Sequence, residues 1–131
     1  MQRAMTIAEL QDAVSGIRWM HRIDLGQGIS LTRCGGHFTG SAALHWSGLD
    51  GKGVLMTGDT IMVVPDTRWV SFMYSYPNLI PLPAREVERI VGTVEPFAYD
   101  RIYAGWWDRV MTRDAKARVR ASADRYVAAI S

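Results

Sequence analysis

The paired glycines Gly35-Gly36, followed at once by His37 and then by Gly40-Ser41, set the strongest constraint on this chain. Adjacent glycines adopt backbone angles that other residues avoid, so an extended segment arriving at them turns instead of continuing. Downstream, Thr57-Gly58-Asp59-Thr60 repeats the arrangement: the end of an extended run, a glycine, and a side chain able to ligate a metal. Between the two lie β-like runs, Ser41 to Trp46 and Gly53 to Met56, joined by the polar turn Ser47 to Lys52. Pairing them as a hairpin brings His37 and Asp59 together at one edge of a sheet.

The remaining segments alternate between the two periodicities. Thr6-Ile7-Ala8-Glu9 has the form of a capping box, and Ile7, Leu10 and Val14 repeat at helical spacing, so a helix is expected from Ile7 to Val14. Ile17 to Ile23 reads as extended, Gly26-Gln27-Gly28 as a turn, and Ile29 to Arg33 as a strand. Ile61 to Val64 is β-branched and apolar, which predicts another strand closed by Pro65-Asp66. Trp69 to Tyr74 is aromatic-rich and fits either a strand or the approach to a helix. Ser75 to Pro83, with three prolines, reads as a rigid loop. Pro83 suits the start of a helix whose apolar face is Val87, Ile90, Val91 and Val94 and which Pro96 ends. Arg101 to Tyr103 follows as a short strand. A final helix from Asp114 to Ile130 carries the stripe Val119, Ala123, Tyr126, Val127 and Ile130. Strands followed by helix, strand and helix give an α+β layering in one domain, residues 1–131.

Composition narrows the function classes. With 15 basic and 13 acidic residues, a net charge of +2 gives no reason to expect a nucleic-acid partner. The C-terminal basic residues (Arg109, Arg113, Lys116, Arg118, Arg120 and Arg125) are interleaved with acids and read as a solvated helix face. One cysteine excludes an internal disulfide. No apolar run reaches the roughly 18 residues of a membrane span, and the first residues lack the apolar core of a secretory signal. The expected location is therefore the cytoplasm.

Several residues can do chemistry. His37, freed by glycines on both sides, is either a metal ligand or a loop histidine bonded to a backbone carbonyl. Asp59 is either a metal-bridging carboxylate or a turn residue. His45 alternates with Ala43 in its strand and reads as structural, as does His21 beside Trp19 and Met20. Cys34 reads as a small buried residue. Trp106 and Trp107 read as core or pocket wall, and Asp108 follows them as a further carboxylate. Ser41, His37 and Asp59 can be drawn as a triad, yet no nucleophile elbow supports it. No phosphate-binding glycine loop and no cysteine–histidine cluster is present.

The order Gly35-Gly36-His37-Phe38-Thr39-Gly40-Ser41, then Thr57-Gly58-Asp59-Thr60, resembles the second half of the metallo-β-lactamase fold. There a Gly-Gly-His-x-x-Gly-Ser segment and a Thr-Gly-Asp-Thr segment each donate a metal ligand. The resemblance runs from about Ile17 to Ile130. It implies half of an αββα sandwich: a mixed sheet with helices on one face, and His37 and Asp59 as ligands for zinc, iron or manganese. The family's His-x-His-x-Asp-His motif has no counterpart here, and no histidine follows His45. The implied site is thus incomplete, and the implied role is a binding or interaction domain that is non-catalytic by itself. The alternative is a metal-dependent hydrolase whose remaining ligands come from a partner chain or from further N-terminal sequence. Half a sandwich also leaves one sheet face apolar, which implies a homodimer or a complementary half-domain.

Overall fold

The computed structural model describes Thr6 and residues 22–131. The helix expected from Ile7 to Val14, the start of the extended run at Ile17, and His21 lie outside the described residues.

Four strands run in sequence as an antiparallel meander: β1 (Arg22–Gly26), β2 (Ile29–Arg33), β3 (Ala42–Trp46) and β4 (Val54–Gly58). Two small ladders follow, β5 (Met62–Val63) with β6 (Val70–Ser71), and β7 (Met73–Ser75) with β8 (Ile80–Pro81). Helix α1 (Ala84–Val94) then returns the chain to β9 (Arg101–Ala104), which lies parallel to β4. Strand β10 (Val110–Met111) closes the edge antiparallel to β9, and helix α2 (Ala115–Ile130) completes the chain. The main sheet has the order β1-β2-β3-β4-β9-β10. The fold is α+β, a mixed but mostly antiparallel sheet with two helices among the described residues. No described helix is long and apolar enough to cross a membrane.

The core forms where two periodicities meet. Across the sheet, Leu55, Ile102 and Met111 stand in register on one face, and all are buried. Residues paired across strands share a face, so this row is a continuous apolar floor. Val87, Ile90, Val91 and Val94 of α1 and Ala115, Val119 and Ala123 of α2 join the same core. Tyr126 and Val127 pack at its margin, but Ile130 is 43% exposed because the last turn of α2 runs past the packed layer.

The helix starts differ from the usual side-chain caps. Pro83 occupies the cap of α1 in extended conformation, with no side-chain cap bond. Asp114, at the cap of α2, has a left-handed backbone (φ 55°) and makes no cap bond either. Asp100 acts from a distance: its carboxylate accepts the Asp114 N–H at 3.0 Å, and its carbonyl accepts the Ala115 N–H at 3.1 Å. The start of α2 is thereby tied to the start of β9. The aromatic run Trp69 to Tyr74 divides into β6 and β7 around the buried Phe72, whose ring meets Tyr126 edge-to-face at 5.7 Å. The C-terminal cations lie on a solvated face as expected. Arg120 pairs with Glu88 and Asp124, Lys116 reaches the carbonyls of Glu95 and Phe97, and Arg125 lies over Trp69.

Ile102 is fully buried in the core that both helices join. Ile102→Ala should cost about 2–5 kcal/mol, the range for truncating a buried aliphatic side chain. Urea unfolding followed by circular dichroism reads that loss as a lower midpoint with unchanged slope.

Candidate metal-binding site

The loop between β2 and β3 is held from inside and from below. Ser41 pins its base: its carbonyl accepts the N–H groups of Cys34 and Gly35 at 2.8 and 2.9 Å, and its hydroxyl accepts the Phe38 N–H at 3.1 Å. From below, Arg89 of α1 donates to the Cys34 carbonyl and bonds Glu86 on its own helix. Gly36 has φ +85°, and a β-carbon there would stand 2.5 Å from Ile90 Cδ1 and 3.2 Å from Leu82 Cδ1. Glycine is thus required twice over, by backbone angle and by the close seat of the helix. The constraint fixes where His37 emerges.

The second loop is equally tight. Thr57 donates its hydroxyl to the Ile61 carbonyl at 2.6 Å, and the Thr60 N–H bonds the Thr57 carbonyl at 3.0 Å. Asp59 sits at the tip of this turn. Gly105, just after β9, passes so close that a β-carbon there would lie 3.2 Å from Asp59 Oδ1.

The two loops bring the two residues together, as the hairpin expectation required. His37 Nε2 lies 3.8 Å from Asp59 Oδ2, with the side chains 16% and 32% exposed. The other ring nitrogen, Nδ1, is 2.8 Å from the Met73 carbonyl of β7. A carbonyl only accepts, so Nδ1 carries a proton and donates. In the neutral ring, Nε2 then presents a lone pair to a carboxylate oxygen that is also an acceptor. At 3.8 Å the two acceptors do not bond one another, and a shared donor such as water, or a cation, placed between them would serve both.

A metal fits this donor set. Ligating imidazoles characteristically donate their second ring nitrogen to a carbonyl or carboxylate, which is the bond to Met73. Zinc–nitrogen and zinc–oxygen bonds of about 2.0–2.2 Å at a tetrahedral angle place two donor atoms roughly 3.3 Å apart. A shift of about half an ångström brings His37 and Asp59 to that spacing. Among the described residues, no cluster of three or more histidine, cysteine or acidic side chains is placed to hold a metal. The pair supplies two donors and no third.

The other candidates fall away from it. His45 bonds the Ala98 carbonyl through Nε2 at 2.6 Å and stacks on Phe97, a structural role. Cys34 is fully buried, with its thiol against the Thr32 carbonyl, and burial pushes its pKa up to about 11. Asp108 pairs with Arg109 at 2.6 Å. Ser41 is committed to the loop backbone, so no triad is assembled. Trp107 is fully exposed, and Trp106, 55% exposed, faces Tyr76 with ring centroids 6.2 Å apart. Neither tryptophan is core. Sequence reasoning missed the Met73 carbonyl and Arg89, since a backbone acceptor and a helix arginine leave no local signature.

No family model matches the chain, and no solved structure matches it. Over 110 residues it is 50% identical to the uncharacterized protein YmaE of Bacillus subtilis (strain 168). That match takes in 83% of this chain and 40% of the relative, so the chain spans well under half the length of the curated protein it matches.

Two outcomes follow from the loop. Gly36→Ala should destabilise the fold by about 1–3 kcal/mol, because it adds backbone strain to overpacking against Ile90. Denaturant titration measures the loss. At pH 8 the Cys34 thiol, raised by burial, should react with iodoacetamide far more slowly in the folded protein than in urea. Mass spectrometry of the alkylated chain reads the difference.

Proposed function

We propose that the chain is the second half of a metallo-β-lactamase-like unit, and that His37 and Asp59 are its share of a metal site. The observation that carries this reading is the pair of facing acceptors, with His37 Nδ1 already committed to Met73. The residues at the two positions, and the glycines that set them, are those of the sequence resemblance. The length of YmaE also supports it, because most of that relative lies outside the matched region and leaves room for further ligands.

Two ligands favour binding over catalysis. A catalytic zinc site takes three protein ligands and keeps an open position, so this half is non-catalytic by itself. Completed by ligands from another segment or chain, the site belongs to hydrolytic chemistry, in which a bound zinc, iron or manganese ion polarises a carbonyl or phosphoryl oxygen. His37 and Asp59 then hold the ion, Met73 fixes the imidazole, and Gly105 leaves space beside the carboxylate.

Elemental mass spectrometry and zinc calorimetry on the purified chain test this. Close to one equivalent of bound metal is expected. His37→Ala and Asp59→Ala should each weaken binding at least about tenfold, the lower end of what loss of even a supporting partner costs. No bound metal in excess zinc, or equal binding by all three proteins, overturns the reading.

A further inference from the structure

Two turns and the exit of β5 meet around a cleft of about 280 Å³. Val64 and Pro65 line it from β5, Tyr76 from the β7–β8 turn, and Trp106, Asp108 and Arg109 from the β9–β10 turn. The rings of Tyr76 and Trp106 stand 6.2 Å apart at a 40° tilt and form an aromatic wall. The β9–β10 turn is closed by its own backbone. The Arg109 N–H bonds the Trp106 carbonyl at 3.0 Å, and the Ala104 N–H bonds the Arg109 carbonyl at 3.1 Å. Wall and cation are thus held in place before any ligand arrives, which lowers the cost of binding.

Arg109 is the unusual member. A guanidinium carries five N–H donors and no acceptor. Among the described residues its one side-chain partner is Asp108, at 2.6 Å. The Arg109 side chain is 25% exposed and that of Asp108 76%, so the cation is set into the wall while its partner stands in water. An ion pair with so exposed a member adds little stability and is cheap to exchange. An incoming carboxylate leaves the charge balance at Arg109 unchanged and suits the guanidinium fork through two parallel N–H···O bonds. A phosphate dianion brings a second negative charge up to Asp108, which disfavours it.

We infer that the cleft binds a small carboxylate with a flat apolar body. The ligand carboxylate takes the place of Asp108 on Arg109, and the body lies against Tyr76 and Trp106. The volume falls just below the range of about 300–1,000 Å³ that suits drug-sized ligands, which limits the body to roughly one ring. Asp108 is then an internal competitor that occupies the cation until the ligand displaces it. The inference uses neither His37 nor Asp59 and needs no metal, so it and the metal reading can fail separately.

Benzoate is the probe, titrated into the isotope-labelled chain with a chelator present while NMR follows the Trp106 indole resonance. Saturable binding is expected, with benzamide and phenyl phosphate both weaker. Arg109→Gln should weaken benzoate binding at least about tenfold, the cost of a lost charge-assisted bond. Tyr76→Ala should weaken it about two- to tenfold through the lost ring contact. Asp108→Asn should instead tighten it about two- to fivefold, because the competitor is gone. Tyr76 and Asp108 are exposed, so these two variants should match the parent by circular dichroism and keep the test open if Arg109→Gln fails to fold. Absence of saturable binding, benzamide equal to benzoate, tighter binding of phenyl phosphate, or weaker binding by Asp108→Asn would each overturn the assignment.

Discussion

The seat of α1 against the Gly35-Gly36 turn is the constraint on which the rest of the molecule depends. Ile90 fills the place where a side chain on Gly36 would stand, and Arg89 holds the Cys34 carbonyl. The same helix buries Val87, Val91 and Val94 against the sheet. One packed contact therefore fixes the layer spacing, the exit of β2 and the position of His37. Close-packed interiors transmit such a fit as rigidity. The site is built on an end of the sheet whose loops have little freedom, rather than on a mobile loop.

Two surfaces of unlike chemistry then share one scaffold. At the loop end, His37 and Asp59 present paired acceptors. On the sheet face turned away from the core, Met56 and Tyr103 pair as exposed apolar side chains. Each is energetically unfinished. Facing acceptors leave room for a shared donor or cation, and exposed apolar side chains favour cover. The interior, by contrast, is nearly complete: among buried side-chain polar atoms of the described residues, Thr32 Oγ1 alone lacks a partner.

Much of the fold was legible because its signals are local. Glycine and proline marked the turns at Gly26–Gly28, Gly35-Gly36 and Pro83, and the spacing of Val87, Ile90, Val91 and Val94 marked α1, all four of which are buried. The nearness of His37 and Asp59 was legible because a hairpin connects them. What escaped depends on distant partners. Phe72 splits an apparently continuous aromatic run because Tyr126, far along the chain, takes its ring. Asp100, distant in sequence, takes the Asp114 N–H at the start of α2. Trp106 and Trp107 look like core by residue type, but they stand on an exposed loop. The Met73 carbonyl, which sets the tautomer of His37, is a backbone group that any sequence would supply.

The parallel pairing of β4 with β9 has a consequence for how the molecule comes together. Val54 meets Arg101 across that ladder, so closing the sheet means bringing together residues far apart in the chain. The meander of β1 to β4 is local and can form early; the seam beside it joins distant sequence, which raises contact order and slows folding. Until β9 arrives, β4 is an edge with unpaired backbone groups, the kind of edge that invites pairing with other chains. The strand that leads into the Asp59 turn is thus an exposed edge in the nascent protein and a central, paired strand in the finished one.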